Sequence, residues 1–150
     1  MHAAVIAKAA EHDIYIGAAA VADYSPALIE QEKIKKQAEQ TTLTLQKTRD
    51  ILAEVAQLAN RPFTVGFAAE THDLEQYAQD KLTRKNLDMI AANWVGRDLG
   101  GFDSEQNALL VFWKNGQKSL AMTDKNHLAE QLISLIVERM EYERRHKNTA

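Results

Sequence analysis

FTVGFAAETHDLEQYAQDKLTRKNLDMIAA (residues 63–92) contains two short apolar runs separated by one amphipathic segment. Phe63–Ala69 is brief and rich in strand formers, and Leu87–Ala92 is apolar on both faces, so both read as buried strands. Between them Thr71–Lys85 carries its apolar residues Leu74, Tyr77 and Ala78 at helical spacing. A strand–helix–strand unit with two-sided apolar strands predicts a right-handed crossover and a parallel sheet.

Working towards the N-terminus, residues 49–60 predict a helix with Ile51, Leu52, Val55, Leu58 and Ala59 on one face, capped by Thr48. Leu43–Thr48 alternates with period two and is expected to be a second strand. Residues 19–41 are polar, contain Pro26 and read as a loop or flap. Ile14–Ala18 predicts a buried strand, preceded by a short helix over 2–11.

In the other direction, residues 96–106 contain three glycines and read as loop. The runs 108–113 and 118–123 flank Lys114-Asn115-Gly116-Gln117, and Asn-Gly is a strong hairpin signal. A helix over 124–145 is expected to turn Leu128, Leu132, Leu135, Ile136 and Met140 inwards, ahead of a fraying tail. The expected fold is α/β: one domain over 1–150, three layers, with a Rossmann-like, mostly parallel sheet, a C-terminal β-hairpin and a long C-terminal helix. No strand precedes the first helix, which is unusual for a parallel α/β domain.

Composition narrows the function. The chain has 150 residues, 45% hydrophobic and 26% charged, with net charge −3. A general nucleic-acid or membrane-surface binder is disfavoured. The absence of cysteine excludes disulfides, thiolate metal sites and a cysteine nucleophile, and a cytoplasmic location is expected. No apolar run approaches the roughly 20 residues of a membrane span. Neither a P-loop nor a GxGxxG fingerprint occurs. The five histidines lack metal-ligand spacing, and only His72 follows a predicted strand end.

Ligand crevices of open α/β sheets lie at the carboxyl ends of strands. The first predicted strand ends in GAAAVAD (17–23), where small residues either let backbone N–H groups approach a ligand or serve packing. Lys33, Lys35 and Lys36 read either as a solvated charge run or as a cationic flap over phosphates. Lys81 and Lys85, spaced i,i+4, share the face of Leu74, Tyr77 and Ala78. They either snorkel to the domain edge or hold an anion between them.

Six strings in order, GAAAVADYSP, EKIKK, RDIL, VGFAAET, KLTRKNLDMIAAN and GFDSEQNALLVFW, resemble the phosphopantothenoylcysteine synthetase domain of bacterial coenzyme A biosynthesis proteins. The resemblance runs from about residue 3 to about residue 140. It implies a ligase that joins 4′-phosphopantothenate to L-cysteine using CTP and Mg2+ through an acyl cytidylate. It also implies a homodimer, to which the hairpin near 107–121 contributes.

Carried over by position, Gly17, Ala18 and Ala19 match the backbone turn lining the nucleotide site, and Asp23 matches a nucleotide-contacting acid. Lys33 matches the catalytic lysine of the flap. Arg49, Asp50, Ile51 and Leu52 match a nucleotide-contacting turn at a helix N-terminus, with Arg49 replacing the family's usual proline. Phe67 matches a residue packing on the nucleotide, and Lys81 and Lys85 match the pair on its phosphates. The metal ligands are left unassigned. The family's first strand–helix unit, with its Arg- and Asn-bearing loop, and its upstream FMN-dependent decarboxylase domain have no counterpart in the sequence. The chain is therefore expected to be the C-terminal part of such a protein. The competing expectation is a non-catalytic nucleotide-binding or oligomerisation fragment of the same fold.

Overall fold

The computed structural model describes residues 1–34, 39–95 and 104–147; Lys35 and Lys36 of the lysine run, most of the glycine-containing 96–106 segment and the tail end lie outside these. The elements in chain order are α1 (His2–Ala9), β1 (Ile14–Gly17), β2 (Tyr24–Pro26), β3 (Leu45–Lys47), α2 (Ile51–Val55) and β4 (Phe63–Glu70). They continue with α3 (Leu74–Arg84), β5 (Met89–Trp94), β6 (Gln106–Trp113), β7 (Gly116–Asp124) and α4 (Lys125–Lys147).

Five strands form the main sheet in the order β1-β4-β5-β6-β7. β1, β4 and β5 are parallel, aligned through Gly17↔Gly66 and Gly66↔Ile90. β6 and β7 extend the sheet antiparallel, as the hairpin signal predicts. The turn is tighter than expected: only Lys114 and Asn115 lie outside the strands, and Asn115 takes the left-handed conformation at φ 65°. Gly116 is required because a Cβ there would sit 2.5 Å from the Trp113 ring.

Both sheet faces are covered, and this makes the three layers. Val65, Met89, Ala91, Leu109 and Val111 pack against Leu128, Leu132, Leu135 and Ile136 of α4. Each of these four helix side chains contributes about 1.5–3 kcal/mol by its burial. Ala68, Ile90, Ala92 and Phe112 point the other way, onto Leu74, Ala78 and Leu82 of α3. α1 packs on α2 through Ala9, Ile51 and Val55.

α3 stops where its sequence says it should. Asn86 adopts φ 54°, Asn86 N–H donates to the Thr83 carbonyl at 3.1 Å, and Leu87 N–H donates to the Leu82 carbonyl at 3.0 Å. This is a Schellman ending, with Leu82 and Leu87 meeting in one buried cluster. β5 consequently starts two residues later than expected.

Five expectations need correction. Residues 19–41, read as loop or flap, contain β2, and the strand over Ile14–Ala18, expected to be buried, is half-buried β1 over Ile14–Gly17 at the sheet edge. The Leu43–Thr48 strand is real only over Leu45–Lys47, and it pairs antiparallel with β2 in a separate ribbon, outside the main sheet. Its residues are exposed, so no buried face holds it against β1 or β4. The helix over 49–60 shortens to Ile51–Val55, after which Gln57 and Leu58 N–H groups bond three residues back and the turn unwinds. Tyr77 is 41% exposed, its ring set edge-on to His72 at 5.4 Å between centroids, while Leu82 takes the inward place.

Candidate functional site

A cavity of about 320 Å3 opens over the carboxyl half of β1 and beside Phe67 of β4. Gly17, Ala19, Asp23, Arg49, Asp50, Ile51, Leu52, Phe67, Lys81 and Lys85 all line it. They arrive from β1 and the segment after it, the start of α2, the middle of β4 and the C-terminal half of α3. Ala18 is exposed next to this lining and is not part of it. Lys33 is also elsewhere: it lines a separate exposed groove with Pro26, Leu28, Ile29 and Leu43 on the ribbon side. His72 does not reach the cavity; it contacts Thr71 and Tyr77.

Small residues matter at one point in particular. A Cβ on Gly66 would lie 2.8 Å from Leu87 and 2.9 Å from Leu52, so Gly66 lets Leu52 settle on β4 at the cavity edge. A Cβ on Gly17 would meet the same Leu52 at 3.1 Å. The two glycines thus serve packing, while Ala18, Ala19 and Ala20 are exposed.

The predicted cations are present but already partnered. Lys85 Nζ lies 2.7 Å from Asp50, and Lys81 Nζ lies 3.7 Å from Glu70. The two lysines therefore do not face each other unscreened, because each has its own carboxylate. Arg49 makes a two-pronged contact with Glu54 at 3.0 and 2.9 Å, and His2 reaches the same carboxylate at 2.8 Å. The His2 hydrogen bond and the Arg49 guanidinium hold the Glu54 carboxyl below its ordinary range.

The start of α2 was expected to be an anion site with Thr48 as its cap. Instead Asp50 is the cap, its Oδ1 accepting from Ala53 N–H at 3.1 Å. Thr48 turns the other way, its hydroxyl donating to the Ala22 carbonyl at 2.6 Å. The anionic place at this helix end is thus taken by the protein's own carboxylate. Partial burial pushes the Asp50 carboxyl up, but hydrogen bonds from Lys85 and Ala53 outweigh it, so its pKa lies below the ordinary 3.8.

That depression has a consequence for stability. The contribution of Asp50 is present above the unfolded value of 3.8 and is lost as pH falls through the lower folded value. Asp50→Ala is expected to cost about 1 kcal/mol at neutral pH, as loss of a cap does. Urea unfolding should show the difference between variant and parent shrinking as pH falls below 3.8. A gap that stays constant into acid would disprove the assignment.

Sequence reasoning missed Lys47, Glu70 and Glu54. Lys47 lines the cavity from β3, where a lysine at a strand end looks like an ordinary solvated residue. Glu70 and Glu54 gave no signal because ion pairs across 11 or 5 residues of different elements are not periodic. Among the described residues no group of three or more His, Cys, Asp or Glu could hold a metal, and no helix is long and apolar enough to cross a membrane.

The family described as DNA/pantothenate metabolism flavoprotein C-terminal domain matches residues 1–140. A Vibrio cholerae coenzyme A biosynthesis bifunctional protein CoaBC is 54% identical over 143 residues, covering 93% of this chain and 36% of that protein. The Escherichia coli K12 protein of the same description is 48% identical over 149 residues, covering 97% and 37%. The chain thus spans little more than a third of the length of these relatives. A crystal structure of the C-terminal domain of CoaBC superposes with TM-score 0.66 at 31% identity, covering 91% of this chain and 59% of that one. A Streptococcus pneumoniae DNA/pantothenate metabolism flavoprotein superposes at 0.71 with 19% identity, covering 91% and 68%, which is a likeness of fold.

Proposed function

Because this chain belongs to the family of DNA/pantothenate metabolism flavoprotein C-terminal domains, we propose that it forms the phosphopantothenate–cysteine ligase part of a coenzyme A biosynthesis protein. One observation carries the proposal: four basic side chains and the small-residue floor surround a single cavity large enough for part of a nucleotide. In the proposed reaction the carboxylate of 4′-phosphopantothenate attacks the α-phosphorus of CTP, and pyrophosphate leaves with the bridging oxygen. The cysteine amine then attacks the acyl carbon, loses a proton, and CMP departs with the electron pair of the broken bond.

This chain's residues have distinct parts in that scheme. Lys81 and Lys85 bind the phosphates and stabilise the charge that grows on the departing pyrophosphate. Gly17 and Ala19 give the nucleotide close access to the backbone, Phe67 packs on it, and Asp23 and Ile51–Leu52 line its walls. Lys33 serves the amide-forming step, which requires the segment carrying it to fold over the cavity. Two carboxylates, Asp23 and Asp50, line the cavity. That sparse donor set fits Mg2+, which usually takes one or two carboxylates and otherwise substrate phosphates and water. Bound there, Mg2+ would neutralise triphosphate charge.

The same proposal has the protein working in the cytoplasm as a homodimer, with an FMN-dependent decarboxylase domain alongside. Exposed apolar side chains support an association surface, among them Leu28, Ile29 and Leu45 around the ribbon and Ile133 and Val137 on α4. The separation of Lys33 from the cavity favours the second reading, a nucleotide-binding fragment without turnover.

CTP with Mg2+ at 100 times its Kd is expected to stabilise the protein by about 2.7 kcal/mol, since a ligand of the native state must do so by mass action. ATP should do less. A melting curve unmoved by millimolar CTP would count against the nucleotide site. Pyrophosphate release with 4′-phosphopantothenate, cysteine and CTP would exclude the non-catalytic reading, and Lys33→Gln should then stall the reaction after pyrophosphate release.

A further inference from the structure

Four basic side chains line the cavity: Lys47, Arg49, Lys81 and Lys85. Three of them have carboxylate partners, in Glu54, Glu70 and Asp50 respectively. Among the described residues no carboxylate pairs with Lys47. An anion approaching Arg49, Lys81 or Lys85 must share each cation with its existing partner. One approaching Lys47 meets an ammonium that no carboxylate of the described residues already holds.

Lys47 is also well placed for the task. It pairs with Tyr24 across the ribbon, which sets it one residue from Asp23, just ahead of the facing strand. The next residue is tied twice to the segment just ahead of that strand, Thr48 N–H donating to the Asp23 carbonyl at 2.9 Å and the Thr48 hydroxyl to the Ala22 carbonyl. The backbone that carries the free ammonium is therefore anchored at the cavity wall, while its side chain is exposed and able to reorient. A solvated lysine at a strand end would need neither the anchoring nor the cavity.

We infer that Lys47 is a further polyphosphate-binding residue of this cavity, the cation that receives the phosphate chain before the paired Lys81 and Lys85 exchange their carboxylates for it. The inference rests on the nucleotide proposal above and adds to it a residue, on an element, that the resemblance did not assign. The ribbon then contributes directly to substrate binding. A charge-assisted hydrogen bond of this kind is short, directional and stronger than a neutral one.

Calorimetric titration of the full chain with CTP and, separately, with inorganic tripolyphosphate tests it. Lys47→Gln is expected to weaken both ligands about tenfold, the size of one lost charge-assisted contact, without lowering the melting temperature of the ligand-free protein. Lys47→Arg should keep most of the affinity. Unchanged affinity of Lys47→Gln for both ligands overturns the inference, as does an equal loss in Lys47→Arg. If the parent binds tripolyphosphate and not CTP, and Lys47→Gln weakens it, the role of Lys47 stands and the nucleotide proposal falls. If the parent binds neither, both fall.

Discussion

Asp88→Ala is expected to destabilise the protein by about 3–5 kcal/mol, the usual cost of removing one partner of a buried ion pair. Asp88 accepts four hydrogen bonds: two from the Arg61 guanidinium at 2.7 and 2.8 Å, and two from Thr64, N–H at 2.7 Å and hydroxyl at 2.9 Å. Its side chain is only 10% exposed and Thr64 is fully buried. The cluster joins the start of β4 to the start of β5, and Asp88 N–H completes it by donating to the Thr64 carbonyl at 3.1 Å.

Truncation at this position leaves a guanidinium without its counter-charge and two Thr64 donors without an acceptor. For a chain of this length each kcal/mol moves Tm by roughly 2–4 °C, so a fall of about 10 °C is expected. Urea unfolding at neutral pH measures it directly, and a loss under 1 kcal/mol would show that water replaces the carboxylate at little cost. Asp88→Asn should fall between the two proteins, since it keeps part of the hydrogen bonding without the charge. Because none of these residues lines the cavity, ligand affinity of the folded variant should be unchanged.

The second large effect is on binding. Replacing Lys81 and Lys85 together by Gln is expected to weaken CTP about 100-fold. Each lost hydrogen bond to a charged group is worth about 1.5–3 kcal/mol, reduced here because each lysine must first leave a carboxylate. The double variant also leaves Glu70 and Asp50 without their counter-charges beside the ligand, where they repel its phosphates. Calorimetry with CTP at fixed ionic strength is the check, since screening changes such numbers. A decrease of less than threefold would mean that α3 does not hold the phosphates. The fold should survive, because both carboxylates can rehydrate: the Asp50 side chain is 46% exposed and the Glu70 side chain 22%.

Much of this arrangement could be read before any coordinates. Leu74 and Ala78 marked the buried face of α3, because helical period is a local property. The two apolar runs around them declared a buried parallel pair for the same reason. The Asn-Gly turn announced the hairpin. Ten of the twelve positions carried over from the family resemblance line one cavity although they come from separate stretches of chain, while Ala18 lies beside that lining and Lys33 lines a different groove.

What failed depends on where particular elements and side chains go. Leu43, Leu45 and Lys47 alternate as a strand should, yet period two does not say which sheet the strand joins. Thr48 has the right chemistry for a cap, but Asp50 reaches Ala53 first and Thr48 is drawn to Ala22. Tyr77 has inward spacing but turns to His72, since Leu82 already fills the space.

By itself, the sequence determined most of the element types and the two-sided apolar strands, and hence the layered α/β core. Those follow from side-chain periodicity and residue chemistry, which act over a few residues. Tertiary structure alone decided that the ribbon stands apart from the sheet, that three of the four cavity cations are held by carboxylates from other segments or turns, and that Lys47 has no such partner among the described residues. Pairing between charges brought together only by folding has no period along the chain, so no local pattern could have carried it.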